Sequence, residues 1–150
     1  MDKLAHILLV EDNKMDVELT LDAFREAKLA NKIHVARNGE EALRYLFGDD
    51  KYADRKTYPL PHIILLDLKM PGIDGHEVLK RVKSTPDIKR IPVIILTSSK
   101  EEGDRAVCYD HGANSYLVKP VSFDGFMEVV GKVTDYWLTL NIDPPVKRAF

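Results

Sequence analysis

Five short apolar runs, each stopping at a polar residue and each followed by a longer stretch of helical periodicity, constrain this chain most. The runs are His6-Ile7-Leu8-Leu9-Val10, Ile33-His34-Val35-Ala36, Ile63-Ile64-Leu65-Leu66-Asp67, Ile91-Pro92-Val93-Ile94-Ile95-Leu96-Thr97 and Ser115-Tyr116-Leu117-Val118-Lys119. The first is continuous rather than alternating, which suits a strand buried on both faces. Pro92 is tolerable only at the start of its strand. Between the runs the period changes. Asn13 is a suitable N-cap for a helix reaching about Ala27, with Val17, Leu21 and Phe24 at helical spacing. Asn38 caps a second helix with Ala42, Leu43, Leu46 and Phe47 on its apolar face. A third carries Val78, Leu79 and Val82, and a fourth runs from about Lys100 to His111 and ends at Gly112. The last spans about Phe123 to Leu140 with Phe126, Val130, Val133 and Trp137 along it. Residues 48–61 read as a polar loop, long for a compact domain.

Buried strands joined by helical crossovers form a parallel sheet covered on both faces, here a three-layer α/β/α sandwich around a five-stranded parallel sheet. The length of 150 residues fits one domain. We expect it over 1–141, with 142–150 as a loose C-terminal tail. With 22 basic and 24 acidic side chains the net charge is -2, against charge-driven nucleic-acid binding. No apolar run approaches the roughly 20 residues of a membrane span. The start, Met1-Asp2-Lys3-Leu4, lacks the plan of a signal peptide, so a cytoplasmic location is expected. A single cysteine, Cys108, excludes an intramolecular disulfide and a cysteine metal cage. His6, His62, His76 and His111 show no zinc-ligand spacing, and there is no phosphate-binding Gly-x-x-x-x-Gly-Lys loop.

In parallel α/β sheets ligands bind beyond the carboxyl ends of the strands. There the chain places Glu11-Asp12, Asp67, Thr97-Ser98-Ser99 and Lys119-Pro120. Each residue alone has a plain explanation: a solvated helix start for Glu11 or Asp12, a turn for Asp67, an N-cap for Thr97, a surface lysine for Lys119. Together they converge at one edge. Three neighbouring carboxylates repel one another, and a divalent cation with oxygen ligands relieves that; Mg²⁺ suits such a site. Mg²⁺ commonly shares its shell with phosphate oxygens, and a carboxylate can be a nucleophile toward phosphorus. Asp67, held at the end of a central strand, is the expected nucleophile. The metal, the Lys119 ammonium and the Thr97 hydroxyl could each take one phosphoryl oxygen, and backbone N–H groups of Leu68–Met70 could add to them.

At these residues the sequence resembles a response regulator receiver domain of the chemotaxis-regulator kind. The matching pieces are Ile7-Leu8-Leu9-Val10-Glu11-Asp12, the segment from Leu66-Asp67-Leu68-Lys69 to Asp74-Gly75, Pro92 to Ser98, and Gly112 to Pro120. The resemblance implies a flavodoxin-like fold and a two-component phosphoprotein. In it Asp67 accepts a phosphoryl group from a sensor histidine kinase. Glu11, Asp12, Asp67 and the Lys69 carbonyl bind Mg²⁺. Thr97 is the switch hydroxyl, Tyr116 the switch aromatic and Lys119 the phosphoryl-binding lysine. It further implies a cis Lys119–Pro120 bond and places Lys69 and Ser99 beside the path of the attacking water, with Lys69 expected to affect the lifetime of the phosphorylated state. The extended segment 49–61 and Tyr136-Trp137-Leu138 resemble regulators serving phytochrome-like kinases. Related regulators pair through the face of the fourth helix, fifth strand and fifth helix, so Tyr109, Tyr136 and Trp137 are candidate anchors of a homodimer. About ten residues follow the last helix, so no output domain is expected and signalling would run through protein contacts. The chain would catalyse only its own phosphotransfer and dephosphorylation. The competing reading is a Mg²⁺-dependent phosphatase of the haloacid dehalogenase kind. It is weakened because Lys69 stands where such an enzyme has its second, general-acid Asp.

Overall fold

Strands β1 (Ala5–Val10), β2 (Asn31–Ala36), β3 (Ile63–Leu66), β4 (Val93–Thr97) and β5 (Ser115–Val118) lie side by side, all parallel, in the order β2-β1-β3-β4-β5. The computed structural model describes residues 4–26 and 31–146. β1 and β3 sit centrally, with Leu8 opposite both His34 and Ile64. Helices α1 (Lys14–Glu26) and α5 (Phe123–Val133) cover one face; α2 (Gly39–Phe47), α3 (Gly75–Lys83) and α4 (Glu102–Asp110) cover the other. The period of two along each strand divides the core. Leu8, Val10, Ile64, Leu66, Val93 and Ile95 pack under α2 and α3, while Ile7, Leu9, Ile63, Leu65, Ile94 and Leu96 pack under α1 and α5. Burying each such side chain stabilises the fold by about 1.5–3 kcal/mol. Among the described residues no helix is long and apolar enough to cross a membrane.

The caps form where the sequence places them. Asn13 accepts from the Asp16 N–H (3.0 Å) and Asn38 from the Glu41 N–H (2.8 Å). The expected end of the first helix at Ala27 lies outside the described residues. Several local expectations change. β4 begins at Val93, and Pro92 contributes only its carbonyl, which accepts from the Ile64 N–H at 2.9 Å. On α2, Phe47 is 42% exposed and Tyr45 takes the buried place. Tyr45 does so because residues 48–61 are not simply a polar loop. Asp50–Ala53 form a 3₁₀ turn with Tyr52 buried, and Tyr45, Tyr52 and Tyr58 pack against one another. Arg55 ties this segment to α2, donating to the carbonyls of Leu46 (2.9 Å) and of Tyr45 (2.7 Å), the latter also accepting from the Gly48 N–H that caps the helix.

The last helix is not one α-helix to Leu140. It changes at Thr134 into a π-helical stretch, Thr134–Leu140. The Thr134 hydroxyl donates back to the Val130 carbonyl (2.9 Å), and the Asn141 N–H reaches the Tyr136 carbonyl five residues earlier. Beyond it Val146 packs against the α2–α3 side of the core, and Arg90 donates to the Pro145 carbonyl (3.4 Å). No cis peptide bond occurs among the described residues, so the Lys119–Pro120 bond is trans, contrary to expectation. Trans is the ordinary state of an X–Pro bond, which favours it by about 0.5–1 kcal/mol.

Candidate functional site

The parallel sheet brings the ends of β1, β3, β4 and β5 to one edge, and the backbone there is already paired across strands. The Glu11 N–H donates to the Ala36 carbonyl (3.0 Å), the Asp67 N–H to Val10 (3.1 Å) and the Lys119 N–H to Thr97 (2.7 Å). These bonds hold the side chains that leave the sheet. Glu11, Asp12 and Asp67 each offer a carboxylate oxygen within 4.8 Å of the others. Glu11 and Asp67 are buried and Asp12 is exposed, so the group has a sealed floor and an open mouth.

Lys119 reaches into the same space. Its Nζ lies 2.5 Å from Glu11 Oε1, 2.8 Å from Asp16 Oδ2 and 3.4 Å from Asp67 Oδ2. Asp67 Oδ1 accepts from the Leu68 N–H at 2.8 Å, which orients the carboxylate. α3 begins against this turn. The Gly75 N–H donates to the Leu68 carbonyl at 3.1 Å, and a Cβ on Gly75 would stand 2.2 Å from the Asp67 carbonyl oxygen.

The electrostatics follow from the geometry. Burial pushes the Glu11 carboxyl up to about 7; the Lys119 ammonium beside it pulls the other way without overcoming burial, and the Asp67 charge adds to the rise. Burial alone would lower the Lys119 pKa, but its bonds to Asp16 and Glu11 outweigh that and hold it above the ordinary lysine range. Both protons are thus held more tightly than usual, that of Glu11 by burial and that of Lys119 by the carboxylates around it. Four carboxylates face one ammonium. A hard cation fits this donor set, which is all oxygen and open on the Asp12 side.

Thr97 is fully buried at the end of β4, and its Oγ1 accepts from the Ser99 N–H at 3.3 Å. Tyr116 on β5 is half-buried; its hydroxyl donates to the Ser99 carbonyl at 3.1 Å. The Lys69 side chain turns from the carboxylates toward α4, with Nζ 3.5 Å from Asp104 Oδ2. So Glu11, Asp12, Asp67 and Lys119 come together, while Thr97 and Tyr116 are joined to each other through Ser99. Two acidic residues were missed from the sequence. Asp16 could have been noticed as a carboxylate in the first turn after the Glu11-Asp12 strand end. Asp104 carries no local signal, since it is one of several acidic residues at the start of α4.

Residues 7–131 match the family model of the response regulator receiver domain. The chain is 38% identical over 138 residues to a probable methanogenesis regulatory protein, FilR2, of Methanothrix harundinacea, covering 92% of this chain and 86% of that protein. Among solved structures, the phosphorylated cyanobacterial phytochrome response regulator RcpA superposes with a TM-score of 0.90 at 36% identity, over 95% of this chain and all of that one. The Mn²⁺-bound form of the response regulator Rcp1, a protein of Synechocystis, gives a TM-score of 0.87 at 35% identity, over 94% and 99% of the two chains. None of these similarities supports the haloacid dehalogenase-like phosphatase alternative.

Proposed function

The chain belongs to the response regulator receiver family of two-component signalling, and from that premise we propose that Asp67 accepts a phosphoryl group from the phosphohistidine of a sensor histidine kinase. The observation that supports this reading is the meeting of the Lys119 ammonium with the Glu11 and Asp67 carboxylates at the end of a central strand. An Asp67 oxygen attacks phosphorus, the P–N bond breaks, and its electron pair returns to the imidazole nitrogen. The Leu68 N–H holds the other Asp67 oxygen, so the carboxylate meets the phosphoryl group in one orientation. Lys119, in contact with Asp67 Oδ2, is placed to follow negative charge onto a phosphoryl oxygen. Glu11, Asp12 and Asp67, with the Lys69 carbonyl, would hold Mg²⁺, which when bound supplies positive charge at the phosphoryl oxygens.

The Thr97 hydroxyl then turns to the new oxygens and Tyr116 follows into the space it leaves. The phosphoryl group shifts this equilibrium only by its differential affinity for the two arrangements. In this reading the receiver domain occupies 1–141 with 142–150 as its tail, acts in the cytoplasm, and performs no chemistry beyond its own phosphotransfer and dephosphorylation. The relatives that are phytochrome response regulators support a phytochrome-like kinase as the donor. The test is incubation with radiolabelled phospho-kinase from the same genome and with a small phosphodonor. Wild type takes up label and Asp67→Asn does not; label on both proteins, or on neither, overturns the assignment.

We extend the reading to a homodimer through α4, β5 and α5. Val107 and Tyr109 on α4, Val121 in the turn before α5, Phe123 on α5 and Tyr136 on the π-helical turn are each at least 40% exposed, apolar side chains suited to a second copy. Sedimentation velocity with beryllofluoride and Mg²⁺ should show a mass near twice that of the monomer; an unchanged mass counts against it.

A further inference from the structure

An ammonium group has three N–H bonds to place, and Lys119 places each on a different carboxylate. Glu11 Oε1 stands 2.5 Å from its Nζ, Asp16 Oδ2 2.8 Å and Asp67 Oδ2 3.4 Å. Glu11 and Asp67 belong with Asp12 to the group whose oxygens lie close enough to share a cation, and Asp16 is not one of that group. Asp16 sits in the first turn of α1, where an acidic side chain ordinarily does no more than face solvent and answer the helix dipole. Here it is 24% exposed and turned onto Lys119, itself 10% exposed. Its backbone is fixed on both sides: the Asp16 N–H donates to Asn13 Oδ1 (3.0 Å), and its carbonyl accepts from the Thr20 hydroxyl (2.8 Å). The same turn holds Glu11, whose Oε2 accepts from the Asn13 N–H at 3.2 Å.

A divalent cation at Glu11, Asp12 and Asp67 would draw on two of the carboxylates that Lys119 holds, and the two positive groups repel. A buried ammonium that gave up both with no other partner would carry a large desolvation cost. We propose that Asp16 is a positioning residue that braces Lys119 from α1, so that the ammonium and the cation share one pocket. The proposal rests on the reading of Glu11, Asp12 and Asp67 as the metal site of a phosphoacceptor, and it adds a residue to which the family resemblance assigned no role. Asp16 is the partner that Lys119 keeps when a cation draws on Glu11 and Asp67. It also keeps Nζ beside the Asp67 carboxylate rather than out in solvent. With asparagine at this position the charge is gone. Lys119 then falls back on Glu11 and Asp67 and contends with the cation for their oxygens.

The probe is Mg²⁺ alone, titrated by calorimetry into wild type, Asp16→Asn, Lys119→Met and the Asp16→Asn/Lys119→Met double variant. Asp16→Asn should bind Mg²⁺ about tenfold more weakly than wild type, at the low end of what loss of an outer partner costs a metal site. In the Lys119→Met background the same substitution should cost about threefold or less, the share due to screened charge alone. Fixed charges acting independently on the cation would give equal losses in both backgrounds, so the difference marks an action through Lys119. A second measurement needs no lysine variant to fold. With Mg²⁺ at saturation, the Lys119 ammonium signal in lysine-selective NMR should persist in wild type and be lost to water exchange in Asp16→Asn. Equal losses in the two backgrounds, or an ammonium signal unchanged by Asp16→Asn, overturns the brace and leaves Asp67 as acceptor. Failure of wild type to bind Mg²⁺ overturns the metal site and the brace together. Label on Asp67→Asn in the phosphotransfer test, with the Mg²⁺ difference intact, overturns the acceptor and leaves the brace standing.

Discussion

Gly75 shows how closely the backbone is built around the acceptor. It opens α3 directly against the turn that carries Asp67, where a methyl group would stand 2.2 Å from the Asp67 carbonyl oxygen and 2.7 Å from the Leu68 Cα. Neither atom is the flexible end of a side chain, so Gly75→Ala must push α3 or the Asp67 turn aside. We expect a loss of about 1–3 kcal/mol in urea unfolding and slower labelling of Asp67 by a small phosphodonor. Unchanged stability would show that the turn yields freely. The cluster Met70-Pro71-Gly72-Ile73-Asp74-Gly75 reads as a turn from its composition alone. The reason its last residue lacks a side chain does not, because the atom that excludes one belongs to a strand end eight residues earlier.

At the scale of elements, the edge where β2 meets β1 carries a pH dependence of its own. His34 on β2 stacks on His6 of β1 with ring centroids 5.6 Å apart, and Tyr45 of α2 and Tyr58 of the 48–61 segment pack on it at 5.2 and 6.0 Å. Burial first, then the charges of His6 and Lys32, lower its pKa to about 4 from an ordinary 6.5. The unfolded chain therefore binds this proton more readily than the folded one. The site costs nothing above about pH 6.5, and stability is lost as pH falls from there toward 4. Allowing for solvent screening of a half-exposed ring, the loss is about 1–2 kcal/mol. Urea unfolding at pH 7 and pH 4.5 should show a smaller acid loss in His34→Gln than in wild type; equal losses would place the acid sensitivity elsewhere. The sequence placed His34 in a strand correctly. It left the aromatic packing unseen because Tyr52 and Tyr58 lie in a stretch whose composition is polar, and bonds of Arg55, Tyr52 and Pro59 to α2 fold that stretch back onto the sheet.

For the whole molecule the governing quantity is the charge collected at one end of the sheet. Glu11, Asp12, Asp16 and Asp67 come from three separate segments, and Lys119, from a fourth, is the cation bonded to three of them. A ligand that binds only the folded chain stabilises it by mass action. Mg²⁺ at a hundredfold excess over its dissociation constant should therefore raise the unfolding free energy by about 2.7 kcal/mol. Asp12→Asn should lose most of that gain while unfolding like wild type in chelator, because Asp12 is exposed and its replacement leaves no buried polar group without a partner. Thermal unfolding with Mg²⁺ and with chelator decides it. Equal responses in the two proteins would remove Asp12 from the metal site.

The strand runs, the helix caps at Asn13 and Asn38 and the polar residues closing each strand follow from local periodicity and side-chain chemistry, and these already specify a parallel sheet and the edge at which its chemistry gathers. Packing alone decided that Asp16 joins Lys119, that Asp104 grips Ser99, and that Tyr45 rather than Phe47 faces inward. Periodicity tells which way a side chain points from its own element. Which distant atom it meets depends on how helices seat on the sheet and how far each loop folds back, and that is a sum over contacts spread along the whole chain.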